Sequence, residues 1–232
     1  MELNVPLREA RISRRYKRFL ADVILPDGET RTVHCPNSGS MKTCWEPGWP
    51  CIISDSLNPA RKLRYTLEMT HNGRCWIGIN THRANTLAVE AIRLNRIPVL
   101  AGFDVLRREV GYGQNSRIDI LLEKAGAPSV YVEVKNVTLA EKGVYKFPDA
   151  VTRRGLKHLR ELSRMVEQGH RAVMLYIVQR SDGVYFTTAD EIDPAYGAGV
   201  RAARDAGVEV LCYRAEVSPR RLVVVETIEV RL

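Results

Sequence analysis

Ser116-Arg117-Ile118-Asp119-Ile120-Leu121-Leu122-Glu123, a connection Lys124-Ala125-Gly126-Ala127-Pro128, and then Ser129-Val130-Tyr131-Val132-Glu133-Val134-Lys135 form the stretch from which the rest of the chain can be read. Side chains alternate across a strand, so the first arm turns Arg117 and Asp119 to one face and Ile118, Ile120 and Leu122 to the other. In the second arm the valines share one face, and Tyr131, Glu133 and Lys135 share its opposite. The connection is turn-like, and with the turn centred on Gly126 equal steps along both arms bring Asp119 opposite Glu133.

Two carboxylates facing each other at about 5 Å between Cβ atoms repel, and the arrangement asks for a cation. Mg²⁺ or Mn²⁺ is the natural candidate, because such ions take one or two protein carboxylates and leave positions for water and phosphate oxygens, as phosphodiester hydrolysis requires. Asp119 and Glu133 are therefore the expected metal ligands. Lys135, on the face of Glu133, is placed to orient the attacking water or to neutralise charge developing on phosphorus. Alternating charges along a strand are also how an ordinary solvated face reads.

Outward from the hairpin, the pattern turns helical on both sides. Upstream, Asn85 is a plausible N-cap, and Leu87, Ala91 and Leu94 recur at helical spacing before Pro98. Glu90 falls at the border of that apolar stripe and is expected as a third catalytic carboxylate. Downstream, a helix over 152–168 carries Arg153, Lys157, Arg160 and Arg164 within about 60° of one face, a row able to track phosphates or simply to face solvent. Thr152 and Asp149 are its expected caps, and Leu156, Leu159, Leu162 and Val166 its packed side. The apolar run 172–178 suits a central strand. A helix over 194–206, opened by Asp193-Pro194 and closed by Gly207, a strand over 208–213 and a last strand within 221–230 complete an α/β sheet domain.

Before Asn85 the pattern differs. Short strands are expected over 15–25, 29–35, 49–54, 64–70 and 74–79, with hairpin turns at Asp27-Gly28 and Asn72-Gly73. Five strands is the count of an OB-type barrel. The expected domains are thus 1–84, an OB-like nucleic-acid-binding β-barrel, and 85–232, an α/β domain. Arg14-Arg15-Tyr16-Lys17-Arg18-Phe19 interleaves basic and aromatic side chains as single-strand-binding barrels do, and Arg61, Lys62 and Arg64 are expected beside it. Ser38, Gly39 and Ser40 lie in a turn able to cradle a phosphate, or to be only a turn.

Composition agrees with an anionic partner. The chain has 232 residues, with 35 Lys and Arg against 27 Asp and Glu. The excess is denser from Met1 to Asn85, where 13 basic side chains stand against 8 acidic ones. DNA is the expected partner, with RNA left open. No stretch reaches the roughly 20 apolar residues of a membrane span. Met1 leads into Glu2 and Asn4 rather than a basic then apolar leader, so a cytoplasmic location is expected. Cys35, Cys44, Cys51, Cys75 and Cys212 never form a Cys-x-x-Cys pair; packed thiols are expected in preference to disulfides or a zinc site.

His34-Cys35-Pro36-Asn37-Ser38-Gly39-Ser40-Met41, Ser116-Arg117-Ile118-Asp119, Glu133-Val134-Lys135-Asn136-Val137-Thr138-Leu139 and Thr152-Arg153-Arg154-Gly155-x-Lys157-His158-Leu159 resemble, in this order, the sugar fermentation stimulation protein A family. The resemblance implies an N-terminal OB-like domain, a C-terminal domain similar to PD-(D/E)xK nucleases, DNA binding, and a link to the regulation of maltose or sugar metabolism. The nuclease pattern it implies falls on Glu90, Asp119, Glu133 and Lys135, with Ile118 where proline often precedes the aspartate. Three functions stay open at this point. One is an Mg²⁺- or Mn²⁺-dependent nuclease, another a DNA-binding regulator that keeps the fold without the chemistry. The third is an oligosaccharide-binding barrel, which the basic excess disfavours.

Overall fold

Turn residues divide the N-terminal part into strands, and in the computed structural model, which describes residues 1–113 and 115–232, these close into a barrel. Strands β1 (Leu7–Tyr16), β2 (Leu20–Ile24), β3 (Thr30–His34), β4 (Pro50–Asp55), β5 (Tyr65–His71) and β6 (Trp76–Gly78) pair in the order β3-β2-β1-β4-β5-β6. A parallel contact between His34 of β3 and Thr66 of β5 closes the sheet on itself. Ile12, Val23, Val33, Ile53, Leu67 and Ile77 fill its interior together with Cys35, Cys44 and Cys51. The turns at Gly28 and Gly73 form as expected, both glycines at a positive φ of 85°, where the lack of a Cβ removes the steric cost.

The barrel sheet has six strands where the sequence suggests five. The single strand expected over 15–25 is the end of β1, a reversal, and β2. The reversal carries no glycine or asparagine; Lys17 and Arg18 adopt it with φ of 48° and 61°. Two basic residues do not advertise that conformation. Most of β1 is masked by its charges, since Arg8, Glu9, Arg11 and Arg14 lie among its residues.

Helix α1 (His82–Arg93) follows and starts ahead of Asn85, which lies inside the helix rather than capping it. Leu87 and Ala91 are buried as the spacing predicts, whereas Leu94 lies beyond the last turn and is exposed. Strands β7 (Val105–Tyr112), β8 (Ser116–Glu123) and β9 (Val130–Val137) come next. Then follow β10 (Leu139–Glu141), β11 (Val144–Phe147), α2 (Arg153–Glu167), β12 (Arg171–Val178), β13 (Tyr185–Thr188), α3 (Pro194–Asp205), β14 (Glu209–Val217), β15 (Leu222–Thr227) and β16 (Glu229–Val230). The main sheet runs β15-β14-β12-β9-β8-β7, with β12 parallel to both β9 and β14, and β10-β11-β13-β16 form a smaller sheet.

Strand alternation sorts the main sheet into two cores. Val173, Leu175 and Ile177 of β12 pack with Ala88, Ala91 and Ile92 of α1, while Met174, Tyr176 and Val178 pack with Leu159 and Leu162 of α2 and Val200 of α3. Thr152 caps α2, its Oγ1 accepting the Gly155 N–H at 3.0 Å, and Asp193 caps α3 by accepting the Tyr196 N–H at 3.0 Å. Each cap satisfies a donor that the first helical turn leaves free. Asp149 does not cap α2; its carboxylate faces the barrel instead. Among the described residues no helix is long and apolar enough to cross a membrane.

Barrel and sheet are bonded together. The Gly78 N–H donates to the Gln179 carbonyl at 2.8 Å. Arg180, 2% exposed, pairs with Asp182 and donates from Nη1 to the carbonyls of Thr43 in the barrel and Thr138 in the sheet at 3.2 and 2.6 Å.

Candidate metal and nucleic-acid site

Strands β8 and β9 pair as the hairpin register predicts, Ile120 with Val132, Leu121 with Tyr131 and Leu122 with Val130. The paired ladder ends at Ile120 and Val132, one step short of Asp119 and Glu133. There the side chain joins the hydrogen-bonding between the strands, Asp119 Oδ2 accepting the Val134 N–H at 2.8 Å. Oδ1 accepts from Asn85 Nδ2 of α1, also at 2.8 Å. The result is a carboxylate held from both sides at one end of a cavity of about 710 Å³.

Glu133 lies on the floor of this cavity and is only 2% exposed, which sets aside the solvated-face alternative for this residue. Its Oε1 receives Lys135 Nζ at 2.6 Å and also meets His158 Nδ1 of α2. Its Oε2 is buried and takes no hydrogen bond among the described residues. His158 Nε2 in turn lies 3.3 Å from Arg154 Nε.

The two carboxyls titrate in opposite directions. Burial pushes Asp119 up from 3.8 to about 6, and the nearby charge of Glu133 pushes the same way against the opposing Val134 N–H. Burial also pushes Glu133 up, but the hydrogen bond from His158 and the charge of Lys135 outweigh it and hold this carboxyl below the ordinary glutamate value. One carboxylate is kept ionised while its neighbour resists ionisation, a state that a divalent cation between them would relieve. Buried oxygens without partners are rare in folded proteins. The free Oε2 of Glu133 and the lone pairs left on Asp119 together form an all-oxygen donor set that fits a hard cation.

The barrel supplies the opposite wall. Ser38, Gly39 and Ser40 line the cavity, as do Arg15 and Arg18. The loop holding them is tied at one end to the start of α1 and at the other to the sheet domain. Thr81 Oγ1 donates to the Pro36 carbonyl at 3.1 Å, and Asp149 Oδ2 accepts the Met41 N–H at 3.1 Å. A Cβ on Gly39 would collide with the Asp149 carboxylate, so any larger residue there would have to push that carboxylate aside.

Several expected contacts lie elsewhere. Glu90 does not line the cavity; it accepts the N-terminal ammonium of Met1 at 2.5 Å, because its position at the stripe edge turns it away from the hairpin. Arg15 reaches the cavity, but its guanidinium donates to the carbonyls of Arg18, Asn37, Gly39 and Ser40 and so braces the loop. Arg14 pairs with Asp22 and stacks 4.5 Å from the Tyr16 ring, whose hydroxyl also meets Asp22. Lys17 is exposed. Arg64 pairs with Asp55, and neither it nor the exposed Arg61 and Lys62 lines the cavity. Arg153, Lys157, Arg160 and Arg164 are all exposed on α2, Lys157 with its ammonium 3.6 Å from Glu161.

Asn85, Arg154 and His158 are site residues that the sequence does not single out as such. His158 leaves a signal: it shares the buried face of α2 with Leu162 and Met165, a titratable side chain where the periodicity asks for an apolar one.

An OB-like barrel joined to an α/β sheet that carries an aspartate and a Glu-x-Lys on adjacent strands defines a two-part class, a small barrel module set against an α/β sheet domain. Within it the chain belongs to the sugar fermentation stimulation protein family: residues 82–221 match the sugar fermentation stimulation protein RE domain and residues 14–79 the SfsA N-terminal OB domain. The chain is 53% identical over 232 residues to a sugar fermentation stimulation protein homolog of Geotalea uraniireducens, covering 100% of both. It is 55% identical over 227 residues to the homolog of Rhodospirillum rubrum, covering 93% of each. The structure of Pyrococcus furiosus SfsA in complex with Ca²⁺ superposes with a TM-score of 0.88 at 26% identity, covering 100% of this chain and 98% of that one.

Proposed function

We propose that this protein is a nuclease dependent on Mg²⁺ or Mn²⁺ that binds DNA across the cavity between its barrel and its sheet. Residues 1–84 serve as the binding part and 85–232 carry the chemistry. The observation that carries this reading is the buried, unpartnered Oε2 of Glu133 beside the Asp119 carboxylate, a donor set with no evident purpose without a cation. That Pyrococcus furiosus SfsA, a relative of the same fold, forms a complex with Ca²⁺ supports a hard, oxygen-preferring ion as the partner of this protein. We place the activity in the cytoplasm, the compartment in which free thiols such as the five here persist.

Asp119 and Glu133 are the residues that would hold the metal. When bound, such an ion lowers the pKa of water and offsets charge on phosphate oxygens. Arg15, Arg18 and Arg154 give the cavity a positive rim that attracts the phosphate backbone. Lys135, fixed by Glu133, holds a positive charge beside the carboxylates, where negative charge develops as the phosphodiester is attacked.

Titration calorimetry with Mn²⁺, together with cleavage of end-labelled DNA, tests the proposal. Wild-type protein should bind the ion and cut; Asp119→Asn should weaken binding and lower the cleavage rate by about 100-fold or more. If wild-type protein binds no Mg²⁺ or Mn²⁺ even with DNA present, the nuclease reading is wrong, and a DNA-binding regulator that keeps the fold replaces it.

A further inference from the structure

His158 is nearly fully buried, belongs to a helix rather than to the hairpin, and touches the carboxylate at the floor of the cavity. Its two ring nitrogens have different neighbours, and those neighbours decide its proton. Arg154 Nε stands 3.3 Å from Nε2, and a guanidinium can only donate. Nε2 must therefore be the acceptor, which leaves the N–H of a neutral ring on Nδ1, directed at Glu133 Oε1. Lys135 donates to that same oxygen at 2.6 Å. Both donors converge on Oε1, and Oε2 is left without one.

We infer that Arg154 and His158 form a positioning relay that sets the rotation of the Glu133 carboxylate, fastening Oε1 and presenting Oε2 to the metal. This rests on the metal-dependent reading of the site and adds to it a reason why one oxygen is the ligand. A carboxylate on a strand can rotate about its last torsion, which has no sharp staggered wells. Lys135 alone, on the same strand, follows Glu133 in any local movement. His158 anchors it instead to α2, and Arg154, exposed and lining the cavity, holds the ring from the solvent side. Arg154 uses only Nε for His158, so its terminal nitrogens are placed to meet a phosphate while Nε maintains the tautomer. Neither residue touches the ion; both act through Glu133.

The test combines metal affinity with the state of the ring, using Mn²⁺ and Ca²⁺ titrations of the full chain and ¹⁵N spectra of its histidines. His158→Leu should weaken Mn²⁺ and Ca²⁺ binding roughly 10- to 100-fold, the usual effect of losing a partner of a ligand. His158→Asn places an amide N–H near the position of Nδ1 and should recover most of that loss, which a merely space-filling role would not predict. Arg154→Leu changes an exposed residue that can be lost without unfolding, and should weaken binding several-fold. In metal-free wild type the His158 ring should show its proton on Nδ1, and in Arg154→Leu a mixture of tautomers. Wild-type Mn²⁺ affinity in a folded His158→Leu protein, or a proton on Nε2 in the wild type, overturns the relay while leaving the metal site standing. Should His158→Leu not fold, Arg154→Leu decides: unchanged affinity and unchanged tautomer overturn the relay. No binding of either ion by wild type overturns the metal site and the relay together.

Discussion

Asp119 accepts the backbone N–H of Val134 at 2.8 Å, so its carboxylate is itself part of the hydrogen-bonding that joins β8 to the strand carrying Glu133. A carboxyl in that place is costly to ionise without a cation. Its folded value, raised by burial and by Glu133, is about 6 against an ordinary 3.8. A raised value means that this group favours the fold fully below about pH 4 and that the benefit is lost as pH rises through about 6. In chelator-treated protein, Asp119→Asn should remove this loss. Denaturant unfolding should find the two proteins converging near pH 4 and the variant more stable by about 3 kcal/mol at pH 8. A wild type as stable as the variant at pH 8 would show that the repulsion is absent.

Lys135 should separate binding from chemistry. An ammonium has no lone pair for a metal, and Glu133 Oε1 keeps His158 when the lysine is gone. Lys135→Ala should bind Mn²⁺ as well as wild type or better and yet cleave DNA more slowly, by about 100-fold, the scale of losing one charge-stabilising group. Calorimetry and single-turnover cleavage on the same preparation check both halves.

Arg15 and Lys17 are near neighbours in the chain and should behave differently. Arg15 braces the loop carbonyls of Asn37 and Gly39. Arg15→Ala should therefore cost about 2 kcal/mol in thermal or denaturant unfolding as those acceptors lose a charged donor. Lys17 stands exposed on its turn. Lys17→Glu should change stability by no more than about 0.5 kcal/mol, as surface substitutions usually do. Equal stability losses in the two would remove the bracing role.

The exposed face of α2 should be read out by salt. If Arg160 and Arg164 each neutralise a phosphate, the double alanine variant should bind DNA more weakly at low salt. The slope of log affinity against log salt should then be shallower by about 0.7 to 0.9 per lost contact. An unchanged slope assigns the stripe to solvent.

Arg180 joins the barrel to the sheet from a nearly closed position. Arg180→Met takes the guanidinium from Asp182, which keeps the Asn72 amide, and from the carbonyls of Thr43 and Thr138. The variant should be destabilised by about 3 to 5 kcal/mol, as a buried pair broken on one side is. Chemical denaturation with an intact-fold check by circular dichroism measures it.

What can be read from the chain alone follows from where the physical signals are local. The hairpin register around Gly126, the burial of Leu87 and Ala91, the Thr152 cap and the strand at 172–178 depend on period, turn chemistry or apolar runs, and the structure agrees with each. The reversal at Lys17 and Arg18 and the charged edge strand β7, with Arg107, Arg108 and Glu109, carry no such signal. Helical phase and the family resemblance both point to Glu90, but phase places a side chain at a stripe border without saying which neighbour lies there; that neighbour is the amino terminus of Met1. Asn85 and Arg154 are brought in by tertiary packing that spacing along the chain does not encode, whereas His158 leaves a trace as a titratable side chain on the buried face of α2.

The loop from Pro36 to Met41 is fastened by Thr81 at one end and Asp149 at the other. A barrel exchanged between relatives would bring its own loop against an unfamiliar Thr81 and Asp149, and a recombinant that left any of the three behind would inherit the acidic floor without its facing wall. The two halves are therefore expected to travel through evolution as one unit, with changes at Gly39 answered by changes at Asp149.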